Sequence, residues 1–143
     1  MLTEGITPEH LFEIYNDPYI TKIGHDHRAA GPIFHPNVSY LSAWVNGVFS
    51  GAFMIIKFTA IEFDLHSLLK RSAVKHSREL GRELLEWSFS QPIMRVTAYI
   101  IDGFEKTRNL CLKLGFKYEG RRRSAIMQKG IIKDILILGM TRN

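Results

Sequence analysis

The spacing of apolar residues changes along the chain, and each change marks an element. Thr7-Pro8-Glu9 has the form of a helix start, with Thr7 as N-cap and Pro8 in the first turn. Leu11, Ile14 and Tyr15 follow on one face at helical spacing. Asn16-Asp17-Pro18 breaks that helix, and residues 19–23 predict a short second one. From Val38 the period shortens. Val38, Tyr40, Leu41, Trp44 and Val45 predict a strand, and Asn46-Gly47 is a two-residue hairpin signal. Residues 48–58 form the return strand, apolar on both faces at 53–56. In a third strand, 60–69, Ile61, Phe63 and Leu65 alternate with Glu62, Asp64 and His66, which gives one apolar and one ionisable face.

The second half returns to helical spacing. Residues 70–76 read as a basic loop and Ser77 as the N-cap of a helix. Its stripe of Leu80, Leu84, Leu85 and Trp87 runs to residue 89. Pro92 ends the connection to a strand over 94–101, with Met94, Val96, Ala98 and Ile100 on one side. A helix over 104–114 turns Leu110, Cys111 and Leu114 inward, and Gly115 stands where a C-terminal cap glycine belongs. Strands over 116–123 and 131–141 are joined across Gln128-Lys129-Gly130. The order predicts an α/β (α+β) domain with a mixed, mostly antiparallel sheet of about six strands and helices on both faces. Residues 24–37, GHDHRAAGPIFHPN, predict a long loop.

Composition narrows the class. At 143 residues, 45% hydrophobic and 23% charged, the sequence fits one globular domain over 1–143 and excludes disordered and fibrous classes. No apolar run reaches the roughly 18 residues of a membrane span, and residues 1–10 show no secretory pattern. Cys111 is the single cysteine, so no intrachain disulfide forms. A reducing, cytoplasmic location is expected. The net charge of +5 favours an anionic ligand or partner.

Three segments, in order, give the charge a place. They are Ser77-Arg78-Glu79-Leu80-Gly81-Arg82-Glu83-Leu84-Leu85, then residues 112–121 (LKLGFKYEGR), then Gly130, Asp134 and the closing Gly139-Met140-Thr141-Arg142. Together they resemble the GCN5-related N-acetyltransferase (GNAT) superfamily, and most closely its branch that acetylates ribosomal-protein N-termini. The likeness runs from about residue 61 to 142, while the first half agrees in element order. A fainter resemblance is to divergent GNAT-like proteins of tailed phages, for which a structural role in particle morphogenesis and association with the virion are expected.

The resemblance implies acetyl-CoA as cosubstrate. The loop feeding the Ser77 helix would meet its pyrophosphate, since a helix N-terminus offers unpaired N–H groups and positive potential. The implied cofactor-binding positions are Leu69, Lys70, Arg71, His76, Ser77, Arg78, Glu79, Leu80, Gly81 and Arg82, with Lys75 nearby. The backbone from Ser67 to Arg71 would pair with pantetheine as an added strand. Two departures stand out. Glu79 replaces a glycine of the family's loop and brings a like charge toward a phosphate, a repulsion of roughly 1 kcal/mol at 4 Å in water. Phe104 and Cys111 stand where the family often has a cofactor-placing Asn and a Tyr that protonates the departing thiolate.

Acetyl transfer to an amine needs a general base. The ionisable face of the third strand offers Glu62 and His66 first and Asp64 behind them, with Tyr99 and Tyr118 as neighbours; Cys111 is a candidate proton donor by position. Packing is the competing reading for each. His25, His27 and His35 with Asp26 could hold a metal, but no third and fourth ligands are defined, so no metal site is expected. Arg121-Arg122-Arg123, with Lys117, Lys129 and Lys133, forms a basic cluster, but no stacking platform for bases is evident and nucleic acid is not the expected partner. Three readings stand. They are an acetyl-CoA-dependent N-acetyltransferase acting on a primary amine (a protein N-terminus or a small amine), a catalytically degenerate GNAT-like binding or assembly protein, and a basic nucleic-acid-binding domain.

Overall fold

The computed structural model describes residues 1–23 and 34–143. His25, Asp26 and His27 lie outside the described residues, and the described ones contain no cluster of three or more metal-ligating side chains. Strand β1 is Leu2–Glu4, followed by helices α1 (Pro8–Tyr15) and α2 (Pro18–Lys22). The meander β2 (Val38–Val45), β3 (Val48–Thr59) and β4 (Glu62–Leu69) comes next. A 3₁₀ helix, Arg71–His76, leads into α3 (Ser77–Ser90), then β5 (Arg95–Ile101), α4 (Glu105–Leu114), β6 (Lys117–Gln128) and β7 (Ile131–Thr141). The strands form one sheet in the order β1-β2-β3-β4-β5-β7-β6. Its neighbours are antiparallel except β4 and β5, which run parallel through the α3 crossover.

Local chemistry sets the helix ends. The Thr7 hydroxyl accepts from the His10 N–H, and Asp17 Oδ1 accepts from the N–H groups of Tyr19 and Ile20. Gly115 ends α4 at φ 108°, a left-handed position that disfavours a side chain. Ser77 does not cap α3. The helix continues from the 3₁₀ turn, so Ser77 is its first residue and its N–H already bonds to the Val74 carbonyl. The expected loop over 70–76 is thus coiled rather than open.

Among the described residues the sheet has seven strands, where about six were expected. The extra one is β1, too short to show a period in sequence and held by its neighbours. Leu2 pairs with Ala43, the Trp87 indole donates to Glu4, and the Leu2 N–H donates to Glu83. Strand β6 also runs past the expected end at 123. A bulge between Arg122 and Ile126, with Ser124 at φ 48°, is held by Asp134, which accepts from the Ser124 N–H.

Helices cover the sheet on both faces. Leu80 and Leu84 of α3 pack on Phe63, Leu65, Val96, Ile100 and Leu138, with Cys111 and Leu114 of α4 against the same core. On the other face Leu11 and Tyr15 of α1 meet Tyr40 and Met54, and Ile14 and Ile20 meet Phe49 and Ala52. Arg142 closes the α3–β5 connection by donating to the carbonyls of Phe89, Gln91 and Ile93. That gives the arginine of the last sequence motif a structural task. Among the described residues no helix is long and apolar enough to cross a membrane.

Candidate active site

Strands β4 and β5 are paired over four register positions, from Glu62↔Arg95 to Leu65↔Ala98. Both continue, β4 to Leu69 and β5 to Ile101, but they pair no further. The sheet therefore opens into a wedge. On its other edge β4 stays bonded to β3 as far as Gly51↔Leu69, and the Lys70 N–H donates to the Ser50 carbonyl. Backbone groups alternate between the two edges of a strand, so those of Ser67 and Leu69 face the wedge. Where a sheet parts in its middle, the backbone groups on the facing edges are not paired by the ladder and are open to another partner.

Beside the wedge, on the α1–α2 face, even-numbered residues of β4 meet odd-numbered residues of β5. Thr97, 2% exposed, donates to Glu62 Oε2 at 2.7 Å. Arg95 lies 3.6 Å from the same oxygen and bonds to Glu119 of β6. Gly139 of β7 makes room for that pair, since a Cβ there would collide with both the Arg95 guanidinium and the Glu119 carboxylate. The hydrogen bond to Glu119 is the main reason the Arg95 pKa is raised.

Asp64 sits in this network at 7% exposure, and its Oδ1 has no hydrogen-bond partner among the described residues. Burial first, then the Glu62 charge, lift its pKa from 3.8 to about 6, against a smaller pull from Arg95. Tyr99, one step past the last paired position, has its pKa raised by burial and then by the charges of Asp64 and Glu62. Asp64 is therefore not one of three equivalent groups on a half-exposed face. It is the enclosed one.

His66 lies further along the same side of β4, where burial pushes its pKa down. Cys111 packs against the α3–α4 core, and burial pushes its thiol up to about 11. A thiol so placed is no nucleophile at neutral pH. It packs with the apolar residues of the core and holds the proton that the donor role suggested by its sequence position would need.

The implied cofactor positions divide by environment. Arg71, Lys75, Arg78, Glu79 and Arg82 are exposed along the 3₁₀ turn and the start of α3. His76 and Ser77 are half-buried, and His76 Nε2 is enclosed with no hydrogen-bond partner among the described residues. Leu69 and Leu80 are core side chains, so any ligand contact they make is through backbone. Lys70 turns away, placing its ammonium 2.5 Å from Glu13 of α1 and over the Phe49 ring. Arg121 is held by Asp102 and Asp134, which raises its own pKa and takes one charge out of the basic cluster. Sequence reading missed Thr97 and Arg95 as partners of Glu62, and Glu119 as the second partner of Arg95. The alternation of Arg95, Thr97 and Tyr99 opposite the ionisable face of β4 was the available signal.

No family model matches the sequence, and no curated protein matches it. Solved structures do. The chain superposes on spermidine N-acetyltransferase from Vibrio cholerae in complex with CoA and spermine at TM-score 0.81 and 14% identity, covering 98% of this chain and 95% of that one. It superposes on ribosomal-protein-alanine N-acetyltransferase from Brucella melitensis at TM-score 0.77 and 15% identity, with 99% of each chain covered. A chimera of the Vibrio cholerae enzyme gives TM-score 0.82 at 13% identity, over 99% and 96%. This chain has the fold of the GCN5-related N-acetyltransferases, in a divergent sequence.

Proposed function

We propose that residues 1–143 form one acyl-CoA N-acyltransferase-like domain that moves an acetyl group from acetyl-CoA to a primary amine by direct attack. The wedge between β4 and β5 carries this reading. Its Ser67 and Leu69 backbone groups, unpaired among the described residues, suit the amides of an extended pantetheine arm. The strand then leads into the 3₁₀ turn, where Arg71, Lys75, Arg78 and Arg82 suit phosphates. The bound acetyl-CoA supplies an activated acyl group; the chain binds and orients it and manages the amine's proton. Neighbours on this fold named as a spermidine N-acetyltransferase and a ribosomal-protein-alanine N-acetyltransferase support an amine acceptor, small or on a protein.

A catalytically silent binding or assembly protein is the second reading. It is favoured by Glu79 at the phosphate end and by the buried thiol of Cys111. Calorimetry and thermal melts with acetyl-CoA separate the two. The enzyme reading expects micromolar binding, and saturation at about 100 times Kd adds about 2.7 kcal/mol of stability. No heat and no shift at millimolar acetyl-CoA would select the silent protein.

A further inference from the structure

We propose that Arg122 and Lys133 hold an anionic group of the acceptor, so that the amine this chain acetylates belongs to a molecule that also carries an oxyanion. The inference rests on the acetyl-transfer reading above and names the acceptor class for that site. The first argument is the face. Residues paired across a ladder share a face of the sheet, and faces alternate along each strand. Tyr99 pairs with Ile137 and Ile101 with Ile135, while Arg122 pairs with Ile135 and Ile126 with Lys133. Arg122 and Lys133 therefore lie on the same face as Tyr99, the side of α1 and α2. Those helices pack on β2 and β3. Tyr99, Ile101, Ile135 and Ile137 stay half-buried, so among the described residues no helix covers this part of the sheet. It forms a trough from the wedge to Gln128, which donates to the Ile23 carbonyl at the end of α2.

The second argument is charge. Arg95 is held by Glu62 and Glu119, and Arg121, on the opposite face, by Asp102 and Asp134. Arg122 makes no ion pair among the described residues, and its charge reaches Tyr99, where it opposes the upward pull of burial on the phenol. Lys133 is half-buried, and its ammonium donates at 2.9 Å to Gln128, itself 4% exposed, and to no carboxylate among the described residues. Arg122 and Lys133 stand diagonally across the β6–β7 ladder, a spacing of about 7–8 Å that two long side chains close on one ligand. Two neighbouring cations repel, and an oxyanion between them replaces repulsion with charge-assisted hydrogen bonds. The third argument is direction. The wedge end of the trough carries Glu62 and Asp64, and the far end carries Arg122 and Lys133. A molecule with an amine at one end and an oxyanion at the other matches that polarity, and a polycation does not. The cationic pair flanks Ile135, one strand across and two residues along from Tyr99, which puts roughly 10 Å between amine and anion.

The test uses the full chain with acetyl-CoA and two matched pairs of acceptors. One pair is ω-aminooctanoate against octylamine. The other is an alanine-initiated peptide with glutamate, or glutamine, at its third position. The pairs separate a small acid from an acidic peptide as the source of the anion. At low salt kcat/KM should favour the anionic member of at least one pair by about tenfold, the worth of a charge-assisted hydrogen bond, and spermine should rank below it. Arg122→Gln and Lys133→Gln should each cut that ratio several-fold, the double variant should bring it near one, and rising ionic strength should shrink it in the wild type. A wild-type ratio near one for both pairs, a preference for spermine, or a ratio that survives in the double variant overturns the inference. If no acceptor turns over, the acetyl-transfer reading falls, and calorimetry with ω-aminooctanoate decides the site by itself. Binding that the double variant loses supports the site, while absent binding, or binding equal in both proteins, overturns it.

Discussion

Gly81 and Leu114 set the spacing between the two helices on one face of the sheet. A Cβ at Gly81 would fall 2.7 Å from Leu114 Cδ1. In sequence Gly81 matches the acyl-CoA loop motif, where a glycine lets backbone approach a ligand. In the structure the approaching group is a leucine of α4. Gly81→Ala displaces only the end of a half-buried leucine side chain and gains about 1 kcal/mol of helix propensity, so stability should stay within about 1 kcal/mol of wild type. Urea melts of Gly81→Ala and of Gly81→Ala with Leu114→Ala read how far the leucine yields. If acetyl-CoA affinity falls in Gly81→Ala while stability holds, the ligand role outweighs the packing one.

Ser67→Pro isolates the wedge. The substitution removes an N–H facing the gap, while the ladder of β4 with β3 keeps its bonds. The expected result is an unchanged melting temperature and acetyl-CoA binding weakened by about five- to tenfold, the worth of one hydrogen bond. Unchanged affinity would mean that no ligand pairs with this edge.

Glu79 lies exposed in the first turn of α3. Its charge favours the helix but repels a phosphate at the same end. Glu79→Gln should tighten acetyl-CoA binding several-fold, in line with roughly 1 kcal/mol for like charges near 4 Å in water. Glutamine avoids the added backbone entropy that glycine would bring. A salt series sharpens the result, because the gain should shrink at high ionic strength. Equal affinity at low salt would place the phosphates elsewhere.

The fold was legible wherever a period ran long enough. The Asn46-Gly47 hairpin, the stripe on α3 and the Gly115 stop follow from local chemistry. β1 was not legible, because three residues carry no period and their partners, Ala43 and Trp87, are remote in sequence. The site was legible in kind and not in rank. Alternation placed Glu62, Asp64 and His66 on one side of β4, but which of them is enclosed depends on β5 lying in parallel beside it. No local pattern reports that. Cys111 shows the converse, since a motif position suggests a proton donor and only the fold shows the thiol packed among apolar residues.

Cys111 gives a chemical check on those surroundings. With its thiol pushed up to about 11, alkylation at pH 8 should be slow in the folded protein and fast in denaturant. Cys111→Ala should retain acetyl transfer within a few-fold. Loss of turnover with acetyl-CoA binding intact would restore the proton-donor role that its position suggests.

Asp64 links stability to pH in a direction opposite to most carboxylates. Its pKa rises on folding from 3.8 to about 6, so the folded state binds the proton more tightly than the unfolded one. The stability this contributes is complete below pH 3.8 and is lost as pH rises through 6. Above that, the fold encloses a carboxylate that would be better solvated outside it. Asp64→Asn should therefore match wild type near pH 4 and exceed it at pH 8 by about 1–3 kcal/mol, by the equivalence of one pKa unit to about 1.4 kcal/mol. Because Glu62 raises the same pKa, Glu62→Gln should shrink the pH-dependent loss without abolishing it. Melting curves from pH 4 to 8 on the three proteins decide the matter. An Asn variant less stable than wild type at pH 8 would show that Asp64 makes favourable bonds as a carboxylate, and its unpartnered oxygen would then need another account.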